Sequence, residues 1–489
     1  MNQEILTYNF NNFDEKLVRI STINTKGMIR FTISGLISKS ILESKERIIS
    51  SFRYNKLKFP YGRVITNLYP ANFKKEGTHY DLPIAMSILI NQGIIENPKV
   101  HDYLFCGEMD LKGNLLEVHN PIRIIEFCKR NNIKNIILPY GNYLYINNFS
   151  DINIFMAKSI RDVIEHFNFN KNLQYQDNTK YLAQETTYDI NDIMSQQSLI
   201  RALIIAIAGN HSLLIRGPIG SGKTISIKSI KSLFSILEKR ESLILSDIYS
   251  RYNKNNTYLY YPQIIYPKND IKIKELFGND TQLGKISLSN FGIIVFDEFN
   301  TFNKTIMDKL LIYLDMGEVY KSNKRKYIQY PINSTFIATM NPCPCGNYGT
   351  SSKCNCTAGQ IARHNSKISN ALLDRIQMKI SIEKTKYENT TNFYNIEGIR
   401  KKIHDAIKVQ KERYNDSEIR NGNLESNLID RYIEIDDKCS EMLIKLTEKY
   451  NLSMRCFQNI IRISRTISDI EGEQKIGINH IYEALKYNV

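Results

Sequence analysis

A chain of 489 residues, 42% hydrophobic and 24% charged, has room for several domains and the composition of an ordinary globular protein, not of a disordered or fibrous one. No apolar run is long enough to span a bilayer, and the start Met1-Asn2-Gln3-Glu4 lacks a basic region followed by an apolar core, so a cytosolic protein without a membrane segment is expected, its eight cysteines reduced. The net charge of +15 favours acidic partners such as nucleic acid, although a Lys-, Asn-, Ile- and Tyr-rich, Trp-free composition of the kind an AT-rich genome produces accounts for part of that excess.

Residues 1–166 alternate short β-like runs, such as Met28–Ile33 and Arg63–Leu68, with helical ones. Residues 167–190 are polar and rich in Asn, Gln and Asp, and read as a linker. From 191 to 385, strands alternate with helices, which predicts a mostly parallel sheet. There the apolar run His211–Arg216 leads into Gly217-Pro218-Ile219-Gly220-Ser221-Gly222-Lys223-Thr224, and a helical pattern follows over Ile225–Leu237. This strand, loop and helix form a phosphate-binding loop. The glycines let backbone N–H groups turn toward phosphate oxygens, Lys223 reaches the β- and γ-phosphates of ATP, and the Thr224 hydroxyl ligates Mg²⁺.

The run Phe291–Phe296, ending in Asp297-Glu298, reads as a buried central strand with two acids at its carboxyl end. After a phosphate loop, Asp297 is expected to help hold Mg²⁺, and Glu298 to orient and activate the attacking water. Met316–Tyr330 reads as a hairpin with a basic tip, in which Lys321, Lys324, Arg325 and Lys326 either contact nucleic-acid phosphates or form a solvated turn. A further strand, Ser334–Met340, ends at Asn341, read either as an amide that meets the γ-phosphate or the water, or as a turn residue of the kind Asn favours at strand ends. Cys343, Cys345, Cys354 and Cys356 follow, separated by a turn-rich stretch with Gly346, Asn347 and Gly349. They are read as a Zn²⁺ site or as free reduced thiols. The other four, Cys106, Cys128, Cys439 and Cys456, are read as small core residues. Residues 386–396 are polar, and the rest of 386–489 is helical, as in Leu443–Tyr450 and Ile460–Ile467.

The order phosphate loop, acidic strand, polar-tipped strand and helical tail is that of AAA+ ATPases. Over nearly its whole length the chain resembles the magnesium-chelatase-like AAA+ proteins of the ComM/YifB type. The resemblance is carried by Phe31–Leu36, Glu43–Arg47, Lys75–Ala85, Gly107–Gly113, Ala338–Gly346, Leu372–Ile376, Ser453–Arg455 and Ile463–Ile467; the string Asn341-Pro342-Cys343-Pro344-Cys345-Gly346 is its most specific part.

The resemblance implies an α/β protein in three parts. These are a Lon-protease-like (S5-type) α+β domain over 1–166, a parallel-sheet ATPase core over 191–385 and a helical lid over 386–489. It also implies a homo-hexameric ring with ATP between subunits. Arg375 then looks like an arginine finger toward a neighbour's γ-phosphate, and Arg455 like the sensor arginine of the lid. In the helicase branch the hairpin at Lys321–Lys326 lines the ring pore. The expected activity is Mg²⁺-dependent ATP hydrolysis driving branch migration of DNA; the alternative is a chelatase-type motor that remodels a protein. Two features depart from the family. Its usual Pro-His-His is replaced within Tyr261–Lys268, and Ser195 stands before Gln196 where Gly is usual. No Ser–Lys protease dyad is found around Glu76–Tyr80 or after Gly113.

Overall fold

A computed structural model describes residues 4–10, 15–145, 152–174, 188–192, 196–253, 258–279, 282–316, 318–323, 326–331, 333–349, 353–383, 394–416 and 418–488. The chain divides into two units, 1–182 with 246–259, and 183–245 with 260–489.

The first unit contains strands β1 (Ile5–Phe10), β2 (Glu15–Thr25), β3 (Arg30–Ser34), β4 (Arg63–Tyr69), β5 (Tyr103–Phe105), β6 (Glu108–Met109), β7 (Leu115–Leu116), β8 (Asn135–Pro139) and β9 (Asn153–Ala157). Seven of them form a mixed sheet in the order β3-β4-β2-β1-β5-β8-β9, while β6 and β7 pair separately. Strands β4, β2 and β1 run antiparallel to their neighbours in that trio, and the remaining pairings are parallel. Met28 and Ile29, expected in a strand, are exposed in the bend that precedes β3. The helix Asp81–Asn91 is buried on every side from Asp81 to Ile90, because its sequence is apolar all round. Ile84, Ile88 and Leu89 from it join Ile5, Ile20 and Phe105 of the sheet in one core.

The second unit adds β10 (Leu213–Arg216), β11 (Ile264–Ile265), β12 (Ile293–Phe296), β13 (Glu318–Asn323), β14 (Lys326–Pro331), β15 (Thr335–Met340) and β16 (Met378–Ser381). A five-stranded sheet runs β11-β12-β15-β10-β16, and every pairing in it is parallel. β13 and β14 form an antiparallel hairpin of their own. The central strands are continuous apolar runs because both faces of the sheet are covered. Ile215, Val295 and Ile337 enter one core with the helix Gln197–Gly209 and the C-terminal helices. Leu214, Ile294, Phe296, Phe336 and Ala338, one residue out of phase, enter a second core with Leu310 and Leu372.

After the phosphate loop the α-helix spans only Lys223–Ser229 and tightens into a 3₁₀ turn, Ile230–Leu233, so the helical pattern to Leu237 is not one helix. Four longer C-terminal helices, Ile396–Tyr414, Asp437–Tyr450, Met454–Glu471 and Ile478–Leu485, and a short one, Ile429–Tyr432, complete the unit. Asn459–Ile470 of the third are wholly buried, and its buried Asp469 is paired with Arg413 and Arg465. No helix among the described residues is long and apolar enough to cross a membrane.

Candidate active site

The parallel sheet brings the ends of β10, β12 and β15 side by side, and the candidate site lies there. The Gly217 N–H donates to Met340 O at 3.2 Å, so the loop leaves the sheet beside the tip of β15. Gly220 and Gly222 have φ of +76° and +85°, and a Cβ built on either would meet nothing within 4 Å. Their glycine is therefore demanded by backbone conformation, not by packing. Gly222 is the N-cap of the helix that starts at Lys223, and no side chain caps it, which leaves the first N–H groups free to meet an anion.

The Lys223 ammonium donates to Gly217 O at 2.6 Å, to Pro218 O at 2.8 Å and to Asn341 Oδ1 at 3.1 Å. Burial pushes its pKa below the ordinary lysine value, and nearby Asp297 and Glu298 act in the opposite direction. Asp297 accepts from the Thr224 hydroxyl at 3.4 Å and from the Thr339 hydroxyl at 2.5 Å. The same Thr339 oxygen accepts from the Glu298 N–H at 3.1 Å. Glu298 sits at φ +51°, a left-handed conformation rare for a residue of its kind, and its side chain is exposed. Ser221 Oγ ties back to Pro218 O, and the buried Gln196 amide donates to Glu383 O at 3.0 Å and Ser221 O at 3.5 Å, bracing the loop from outside. An ammonium, an uncapped helix start and paired Thr224 and Asp297 oxygens form a donor set that fits a Mg²⁺–nucleotide.

Arg375 and Arg455 are not beside this loop in the same chain. Arg375 lies three residues before β16, and Met378 pairs with Leu213 at the start of β10. The loop follows the other end of β10, about 10 Å of strand away. Arg375 Nε donates to Asp315 Oδ2 at 2.6 Å, and Arg455 Nη2 donates to Asp315 Oδ1 at 3.0 Å.

The four clustered cysteines converge. Cys343 Sγ is 3.4 Å from Cys345 Sγ and 3.8 Å from Cys354 Sγ, the latter two are 3.6 Å apart, and all four sulfurs, Cys356 included, lie within 4.8 Å of one another. A tetrahedron with Zn–S of about 2.3 Å has edges of about 3.8 Å. Of the other cysteines, Cys106, Cys128 and Cys439 are buried and Cys456 is half-buried. His480, Glu471 and Glu473 also cluster, but His480 Nδ1 accepts from the Gly477 N–H, so Nε2 carries the proton toward Glu471 and offers no lone pair to a cation.

Lys324 and Arg325 of the basic tip lie outside the described residues, as does Ser195; Lys321 and Lys326 fall in β13 and β14. In the first unit, Thr78 donates to Glu108, and Asp81 is fully buried in a two-bond pair with Arg47 at 2.6 and 3.0 Å. The Lys75 ammonium is buried against Pro70 O and Phe73 O.

Sequence reasoning missed Thr339, Asp315 and His364. Thr339 was accessible, since it stands two residues before Asn341 on the same face of β15. His364 Nε2 donates to Asn341 O at 3.1 Å and its Nδ1 accepts from the Asn300 amide at 3.1 Å, from a helix far along the chain, and no local signal marks it.

Comparison with known proteins finds three family matches. Residues 189–390 match magnesium chelatase, subunit ChlI; residues 20–142 match subunit ChlI of Mg-chelatase; and residues 395–488 match the subunit ChlI C-terminal family. The chain is 30% identical over 485 residues to competence protein ComM of Haemophilus influenzae, covering 96% of this chain and 94% of that protein. It is 27% and 26% identical to the YifB proteins of Salmonella typhimurium and Escherichia coli, in each case over 95% of this chain and 92% of the relative.

Proposed function

The chain belongs to the magnesium-chelatase-like AAA+ ATPases of the ComM/YifB type, and from that premise we propose that it is a ring motor that hydrolyses ATP between subunits and moves DNA strands. The observation that carries the ATPase reading is the convergence of Lys223, Asn341, Thr224, Thr339 and Asp297 at the ends of three parallel strands.

In this reading Lys223 leaves the loop carbonyls to meet the β- and γ-phosphates, and Asn341 orients the γ-phosphate or the water. Glu298, exposed at the strand end, accepts a proton from the attacking water. Thr224 and Asp297 would hold a Mg²⁺ ion, which would supply neutralisation of phosphate charge. Thr339 keeps the Asp297 carboxylate and the Glu298 backbone in fixed relation. Arg375 stands beside the strand ends opposite those that carry its own loop, so it is assigned to a neighbour's γ-phosphate across a homo-hexameric interface. Arg455, on the same Asp315 carboxylate, is assigned to that same surface. The four-cysteine cluster, with spacings close to the edge of a Zn–thiolate tetrahedron, is assigned to a structural Zn²⁺. The N-terminal part is read as a Lon-protease-like fold that serves assembly or binding, and the C-terminal helices as the lid.

Action on DNA rests on the basic tip Lys321–Lys326, on the net charge of +15 and on the likeness to a protein named for competence. The family matches to magnesium chelatase favour a second reading, a motor that remodels a protein partner. Steady-state ATP hydrolysis with and without forked DNA separates the two: stimulation supports the DNA motor, and indifference to DNA supports the protein remodeller. No turnover in either condition overturns the ATPase reading.

A further inference from the structure

The cysteine cluster is tied to the phosphate loop by packing and by chain connectivity. Gly346, in the turn after Cys345, has φ +74°, and a Cβ built on it would lie 2.5 Å from Ile219 Cγ1 and 2.7 Å from Ile219 Cδ1. The third residue of the phosphate loop therefore rests directly on the backbone of the cysteine turn. The Ile219 side chain is otherwise largely open, at 57% exposed.

Two further links run through the chain. Asn341, which accepts from Lys223, precedes Cys343 by two residues. Immediately after Cys356, Thr357 caps the helix Ala358–Asn365 in a reciprocal box with Gln360, and that helix carries His364 back to Asn341 O. The thiols thus sit between two segments that hold Asn341, beneath a residue of the loop itself.

We propose that a Zn²⁺ held by Cys343, Cys345, Cys354 and Cys356 acts as a staple for the nucleotide site, fixing the Gly346 turn against Ile219 and keeping Asn341 in reach of Lys223. The inference rests on the ATP-binding reading and adds to it a dependence of nucleotide affinity on thiolate-bound metal. Four thiolates arranged around one ion fix both ends of a turn-rich segment that contains two glycines with positive φ and little apolar burial of its own. Without the ion, the Gly346 turn loses the constraint that presents its backbone to Ile219.

The test uses the full chain, purified without chelator. Zinc is measured per chain, and nucleotide affinity is measured with a fluorescent ATP analogue at fixed excess Mg²⁺. Wild type is expected to hold about one zinc. The Cys354→Ser/Cys356→Ser protein is expected to lose it and to bind nucleotide more weakly by on the order of tenfold, the scale seen when groups that orient a site are removed. Gly346→Ala should keep its zinc and still bind nucleotide weakly, because alanine is strained at φ +74° and its methyl group meets Ile219, so the turn that supports the loop must shift. In Gly346→Ala/Ile219→Ala, removal of the struck side chain should restore part of the affinity.

Wild-type affinity in a zinc-free, folded Cys354→Ser/Cys356→Ser protein overturns the proposal. If that variant does not fold, wild-type affinity in Gly346→Ala overturns it equally. A wild type that binds nucleotide but holds no zinc removes the staple alone, whereas a wild type that binds no nucleotide overturns the ATPase reading instead.

Discussion

Arg375 and Arg455 share one carboxylate: Nε of the first and Nη2 of the second bind the two oxygens of Asp315, at 2.6 and 3.0 Å. The two arginines come from different parts of the chain, one just before the edge strand β16 and the other in the first turn of the helix Met454–Glu471. Asp315 brings them together near the start of β16, at the opposite end of the strands from the phosphate loop of their own chain. Both arginine side chains remain partly exposed, at 21% and 41%, so in the proposed ring a phosphate from a neighbour could compete with Asp315 for them.

Arg375→Ala should therefore bind ATP as wild type does and lose turnover by about 10³-fold or more, the scale of arginine-finger removal. Mixing it with Lys223→Ala subunits should recover part of the activity, because hybrid interfaces pair an intact loop with an intact arginine. Sedimentation of a fully active wild-type monomer would defeat this assignment.

Lys223→Ala should abolish nucleotide binding, since it removes the ammonium held among Gly217 O, Pro218 O and Asn341 Oδ1. Glu298→Gln should bind ATP and fail to turn it over, as only proton acceptance from water is lost. Undiminished hydrolysis in Glu298→Gln shows that another group is the base.

Thr339→Val tests the inner support of the acidic pair. It keeps the shape but removes the hydroxyl that donates to Asp297 and accepts from the Glu298 N–H. Turnover is expected to fall by about 10- to 100-fold, with ATP affinity changed less. Equal kcat for Thr339→Val and wild type would mean that Asp297 is positioned by other groups.

Replacing Lys321, Lys324, Arg325 and Lys326 together with Ala should weaken DNA binding on every sequence alike and make its salt dependence shallower, because phosphate contacts release counterions without reading bases. Basal ATP hydrolysis should persist while its stimulation by forked DNA disappears. Unchanged affinity and salt slope would move the DNA path elsewhere.

His211 is fully buried between Gln377 Oε1, at 2.9 Å, and Thr466 Oγ1, at 2.7 Å, and burial depresses its pKa from 6.5 to about 4. Between those two values the unfolded chain binds a proton that the folded chain does not. Stability is therefore full above pH 6.5 and falls as pH drops toward 4, by about 3 kcal/mol from this ring. Denaturant unfolding of the second unit at pH 7 and pH 5 should show the loss, and His211→Asn should flatten the slope by about one proton. An unaltered slope in that variant would place the ring's titration elsewhere.

Where a motif is local in the chain, the sequence alone was enough to place it. A phosphate loop needs a strand, glycines at fixed offsets, a lysine and a hydroxyl within eight consecutive residues, and Gly217–Thr224 supplies them. The apolar runs of β10, β12 and β15 announced a sheet covered on both faces, and the structure has that parallel sheet. The mixed seven-stranded order of the first unit was not legible, because β1 pairs with β5, and Leu6 with Leu104, across a separation that periodicity does not encode. Tertiary structure alone decided that Asp315 unites Arg375 and Arg455, that Thr339 underpins Asp297 and that Gly346 carries Ile219. The reason is physical: a motif fixes φ, ψ and side-chain type over a few residues, whereas each of these contacts joins segments that only packing of separate elements brings within a few ångströms.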